Sequence, residues 1–314
     1  MGRSILDQGK FDAANHGFRV MFDETLASAD DMALANLLAT TFQSSSSDET
    51  YTWLGAAPTL KPWMNADADS QATGGSERVI SKLRSSSYVV KNLRWANGIE
   101  VDEQDFEDDK LGLIGMRVRS MAQAAAAHYV QLLIDLLTGG FSQNGYDAVP
   151  FFSATHPNGD AGTFDNLMTA TLDDSLAYDT AYKKMLSMKN ENGDPAGVRP
   201  THLVVGPDYR TTALALLVAE VGVSGASNVN ANSAELIVSP RLSGAHAAKW
   251  FLLDLSKPIR PLVLQIRQPL LFVPMTRLDD EIRFLRGKFM MGVEGRHNAG
   301  YGLPQYAVGS NGST

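Results

Sequence analysis

The strongest constraint on what this chain can fold into is one long helical stretch near its middle, LGLIGMRVRSMAQAAAAHYVQLLIDLLTGGF. Leu113, Met121, Ala125, His128, Leu132 and Leu136 recur at three- and four-residue spacing, and Gly139 and Gly140 follow as a stop. At 1.5 Å per residue, a helix of about 26 residues is roughly 40 Å long, more than a compact domain needs. It reads as a spine to which other elements attach, and its four-alanine run lets another backbone approach closely. Just before it, VDEQDFEDDK places six carboxylates in ten residues. That run lacks the spacing and central glycine of an EF-hand loop. Acids over Asp105 to Asp109 suit instead the N-cap and first turn of the spine, where the helix dipole favours negative charge.

The chain ahead of the spine divides by composition. Residues 1–50 open with a modest helical pattern and end in TTFQSSSSDET, a polar run that cannot fold alone and reads as an arm. YTWLGAAPTLKPW follows, with Trp53, Leu54, Leu60 and Trp63 as large apolar anchors between turns set by Gly55, Pro58 and Pro62. The next segment centres on Gly74 and Gly75 and offers only Val79, Ile80 and Leu83 for packing. Beyond it, SYVVKNLRWANGIEV alternates as half-buried strands do, around an Asn97-Gly98 turn. Together these segments read as a long hairpin. A two-stranded ribbon is marginal in water by itself, so such a hairpin needs a surface to lie on.

After the spine, strands and helices alternate from about Gly140 to Pro274: a helix over 172–188, THLVV with a turn at Gly206-Pro207 and a helix, then the short strands AELIV, KWFLL and PLVLQIR. The last part alternates Ile282, Phe284, Phe289 and Met291 with Arg283 and Lys288, and a glycine-rich end is expected to fray.

Chemistry is sparse. With no cysteine, disulfides, thiolate metal sites and cysteine nucleophiles are excluded. GVSGASN and GGSER are not phosphate loops, and neither G-x-S-x-G nor H-E-x-x-H occurs. His156, in the loop SATHPNG, is the most enzyme-like fragment, as an exposed base or metal ligand. His128 reads as a buried or interface histidine, and His297 in GRHNAGYG as a turn residue. No catalytic, cofactor or metal site is expected. The net charge of −8 excludes a strongly basic nucleic-acid binder, and no apolar run reaches the length of a membrane span. Locally, six acids at 102–109 contrast with Arg277, Arg283, Arg286, Lys288 and Arg296, patches that can pair within or between subunits.

The order of these parts resembles the major capsid proteins of tailed bacteriophages, with the Hong Kong 97 type of fold. YTWLGAAPTLKPW, DFEDDKLGL, the helix ending DLLTGGF and the late GVEGRHNAGYGLPQYAVGS resemble, more closely, the Mu-like major head protein family. The resemblance implies an α+β fold with an N-terminal arm (1–50), an anchor (51–63) and an extended β-hairpin loop (64–95). It also implies a peripheral domain holding the spine (96–141 and 273–314) and an axial α/β domain (142–272). The implied function is that of a non-enzymatic shell subunit without cofactors. Hexamers and pentamers of it would close an icosahedral virion head, made in the bacterial cytoplasm, around double-stranded DNA that is not read by sequence. Implied partners are further copies of the chain, a separate scaffolding protein, a portal and a decoration protein, with no membrane.

Assembly-interface candidates are Trp53 and Trp63 in the anchor, Arg78, Lys82, Arg84 and Arg94 on the loop, and Asp105, Glu107, Asp108 and Asp109 before the spine. The loop arginines are expected to meet a neighbour's acids. Lys82 has nothing around it that identifies crosslinking chemistry. Two other readings stay open on the residues: an α/β enzyme with the 64–87 segment as lid and His156 as base, and a ring-forming phage connector or tail component.

Overall fold

The protein was analysed as a computed structural model that describes residues 8–54, 85–107, 112–173, 175–219, 227–275 and 285–313. The chain forms two compact units. The first takes its described residues from Met1–Glu49, Val90–Gly139 and Lys257–Leu303, the second from Thr50–Val89, Gly140–Ser256 and Pro304–Thr314.

In the first unit, helices α1 (Gln8–Ser28) and α2 (Asp30–Leu38) pack on the spine, α4 (Leu113–Gly139). Phe22, Ala35 and Leu38 are fully buried, so the described part of the expected arm is folded onto this unit. The polar serine run obscured that, because the burial comes from residues well before it. The spine ends where its glycines predict, and the Tyr301 hydroxyl donates to the Leu136 carbonyl in its last turn at 2.8 Å. Its start differs from expectation. Gly112, at φ +67°, precedes Leu113, and no acid occupies the first turn. The acids Glu103 and Asp105 lie in a separate short helix, α3 (Glu103–Glu107), and Asp102 Oδ1 accepts the Gln104 amide there.

The buried stripe of the spine is Ile114, Val118, Ala122, Ala125, Ala126, Tyr129, Val130, Leu133, Ile134 and Leu137. Only Ala125 belongs to the stripe read from the sequence, and Leu113 is half exposed. The C-terminal half of the helix is apolar around most of its girth. Periodicity therefore cannot choose between adjacent stripes there.

The spine covers one face of a four-stranded sheet in the order β1-β11-β12-β4. These strands are β1 (Ala39–Gln43), β4 (Leu93–Asp102), β11 (Leu262–Met275) and β12 (Lys288–Tyr301). β1 runs parallel to β11, and the other pairs are antiparallel. Two expectations fail here. PLVLQIR, read as part of the α/β region, is the start of β11 and belongs to this sheet. Asn97-Gly98 is the middle of one continuous strand, not a turn. Gly98 lies opposite Gly292 of β12, and a Cβ on Gly98 would sit 3.1 Å from the Met291 carbonyl oxygen. The glycine serves close strand approach, which local sequence does not distinguish from a turn.

The second unit is built on a five-stranded sheet, β7-β13-β10-β8-β9, with β7 (Leu167–Met168), β8 (His202–Val205), β9 (Glu235–Val238), β10 (Trp250–Leu253) and β13 (Ala307–Ser310). Helices α5 (Ser175–Leu186) and α6 (Arg210–Leu217) lie where the sequence placed them. Tyr178, Ala181 and Met185 of α5 share a core with Leu203, Val205, Trp250, Leu252 and Val308. Phe251 stacks instead with Phe152 and Phe141. The glycine-rich end does not fray: β13 is wholly buried, and a Cβ on Gly309 would lie 2.8 Å from the Phe152 ring. Its glycines make room for an aromatic ring. The chain before the spine also contributes a two-stranded ribbon, β2 (Asp48–Leu54) with β3 (Ser85–Lys91).

Candidate functional site

The outer face of the four-stranded sheet is the surface best suited to a partner. Along β12 burial alternates strictly, with Phe289, Met291, Val293 and His297 turned inward. Phe272 of β11 also faces in, its ring 5.8 Å from that of Phe22. The alternate residues form successive cross-strand rows on the other face. Arg296 lies opposite Arg94, and Glu294 between Leu271 and Ala96. Gly292 then lies between Val273 and Gly98, Met290 between Met275 and Glu100, and Lys288 opposite Asp102. Leu271, Val273 and Met275 are each exposed. The facing glycines lower the floor between these side chains, leaving a groove of about 440 Å³. An ion pair closes each end: Arg94 to Glu294 at 2.7 Å and Lys288 to Glu100 at 2.5 Å.

On the inner face, Trp95, His128, Tyr129 and His297 form an aromatic cluster. Ring centres lie 4.4 Å apart for Trp95 and His128, 5.2 Å for His128 and His297, and 4.7 Å for Tyr129 and His297. His297 is fully buried in the middle of β12, not in a turn, and neither ring nitrogen has a hydrogen-bond partner. Burial, with His128 beside it, pushes its pKa down to about 4. The ring is therefore neutral at pH 7. Its backbone carbonyl accepts the Trp95 indole N–H at 3.0 Å.

The enzyme-like fragment dissolves on inspection of its partners. His156 is completely buried and stacks on Phe164, with ring centres 4.6 Å apart. Asn166 donates its amide to the carbonyls of Phe151 and Pro304, which turns its Oδ1 toward the Ser153 amide and His156 Nε2. Nε2 must donate there, at 3.1 Å, while Nδ1 faces Asp147 Oδ2 at 2.5 Å. Neither nitrogen is left for a substrate. Local sequence suggested an exposed loop because it could not show Asp147 and Asn166 closing around the ring. Among the described residues, no group of three or more histidines and carboxylates could hold a metal, and no helix is long and apolar enough to cross a membrane.

Of the residues expected at interfaces, Trp53 and Glu107 are placed by backbone in β2 and α3, and Asp105 is exposed on α3. Arg94 is exposed on β4 and already holds Glu294 of its own chain, so it is not a free loop cation. Trp63, Arg78, Lys82, Arg84, Asp108 and Asp109 lie outside the described residues, as does most of the loop. Arg296, opposite Arg94, was visible in the sequence only as part of a basic patch; register brings the two together.

Comparison with known proteins decides the family. The model of the Mu-like prophage major head subunit gpT matches residues 11–175, 168–242 and 241–313. The chain belongs to this family. It is 26% identical over 291 residues to the Mu-like prophage FluMu major head subunit of Haemophilus influenzae, covering 93% of this chain and 70% of that one. It is likewise 26% identical to the major capsid protein of Escherichia phage Mu, covering 88% and 66% of the two chains. The procapsid of bacteriophage JBD30 contains a chain of the same fold, with TM-score 0.61 at 24% identity, covering 97% of this chain and 76% of that one. The gpT-family chain is thus a major head protein with the Hong Kong 97-type α+β fold, a virion structural subunit and not an enzyme.

Proposed function

We propose that copies of this major head subunit join as hexamers and pentamers and close an icosahedral shell around double-stranded DNA. The observation that carries this reading is a family match over nearly the whole chain on a fold whose main half-open sheet leaves one face to water. Each contact in a closed shell can be weak, because closure makes many at once. An acidic chain suits enclosure, since weak attraction to DNA lets the genome pack without sticking. A separate scaffolding protein, a portal and a decoration protein are the partners this function requires or accommodates. The first unit would supply the peripheral part of each subunit and the second the axial part, with the hairpin between Trp53 and Arg94 laid over a neighbour. Residues from the anchor, the hairpin and the 102–109 acids would form the contacts.

The test is to express the chain with its scaffolding protein and image the product by electron microscopy. Closed particles with five-fold and six-fold capsomers are expected. A small uniform oligomer, or rings of one symmetry, would overturn the reading.

A further inference from the structure

The outer face of the four-stranded sheet is electrically polar along its length. At one end Arg94 and Arg296 stand directly opposite on adjacent strands and share one carboxylate, Glu294; Arg296 makes no ion pair with any described residue. Like charges placed opposite in a ladder are unfavourable without a counter-charge. At the other end Glu100, Asp102, Glu103 and Asp105 gather on β4 and α3, against Lys288 and Arg286. Eight residues of strand, about 27 Å, separate Arg94 from Asp102. Between them lies the uncharged stretch of Val273, Met275, Met290 and the paired glycines.

We infer that this face is a head-to-tail contact between copies of the chain, in which the Arg94–Arg296 end of one subunit receives the Asp102–Asp105 end of the next. Charge complementarity selects a second copy as the occupant: each end carries an excess that the opposite end of the same face offsets. A contact joining two different patches repeats in one direction and closes into rings, as capsomers require. The sheared arginine-on-carboxylate geometry also fixes polarity, because a head-to-head approach would bring four guanidinium groups together. This inference rests on the shell reading and specifies one of its interfaces.

The experiment is a charge swap in the full chain, expressed with scaffold and counted by electron microscopy. R94E/R296E and D102K/D105K should each give at least tenfold fewer closed particles than the native chain. The variant carrying all four substitutions should recover shells, since its two ends again complement one another. R94Q/R296Q serves where charge reversal prevents folding, judged by circular dichroism and melting of the subunit, and should also lower the yield. Native shells accompanied by undiminished shells from R94E/R296E overturn the contact alone, as does a folded fourfold variant that makes none. Absence of native shells overturns the shell reading instead.

Discussion

The two sheets of this subunit solve the same packing problem in opposite ways. In the five-stranded sheet β8, β10 and β13 are buried at every position, because α5 covers one face and the Phe141–Phe152–Phe251 stack the other. In the four-stranded sheet β12 alternates, buried on the side of the spine and open on the other. A sheet covered twice is finished within its own chain, whereas one covered once retains a face for something else. The polar and unusual features follow the second pattern: the opposed arginines, the glycine-floored groove and the unpartnered His297 all belong to the half-open sheet.

Breaking the closed sheet should have the largest effect. Trp250 is fully buried and its indole N–H donates to the Ala170 carbonyl at 2.9 Å. Trp250→Ala is expected to cost about 3–5 kcal/mol, seen as a large fall in melting temperature of the isolated subunit. A melt unchanged by the substitution would refute the claim that this strand anchors the second unit.

Next comes acid sensitivity in the half-open sheet. The folded His297 pKa of about 4 lies below its ordinary 6.5, so the unfolded chain binds more protons between these values. Stability from keeping the ring neutral is present above pH 6.5 and is lost as pH falls toward 4. The change amounts to about 3 kcal/mol. Replacing His297 by Phe should flatten that part of a denaturation-versus-pH curve, and an equally steep curve in the variant would assign the acid limb to other groups.

The smallest effect is the most diagnostic. Val273 is 44% exposed on the open face, and Val273→Ala should shift subunit stability by no more than about 0.5 kcal/mol. A loss of 2 kcal/mol or more on a denaturant titration, roughly what a buried site gives, would mean that the face is closed within the subunit.

The sequence revealed the elements of the closed sheet more faithfully than their neighbours. THLVV, AELIV and KWFLL are short continuous apolar runs bounded by turn residues, and each is a strand. The errors cluster where one local signal serves two purposes. Asn97-Gly98 marks a turn in many chains, yet here the glycine permits close approach of β12. His156 in a Gly/Asn loop looks catalytic until Asp147 and Asn166 occupy its ring. At the candidate interface Arg94 and the acids were legible as charges, but their arrangement was not. Arg94 and Arg296 are about two hundred positions apart, and only the β4–β12 register makes them one feature.

By itself, the sequence determined the long spine and its glycine stop, the strand-rich α/β region, the absence of cysteine chemistry and, through its motifs, the family. These depend on local propensity, periodicity and composition, which are properties of neighbouring residues. Tertiary structure decided which stripe of the spine is buried, which sheet receives β11, that His297 is enclosed without a partner, and that opposite charges lie at opposite ends of one open face. Each of those depends on pairing between distant segments, where burial and strand register outweigh what any local stretch prefers.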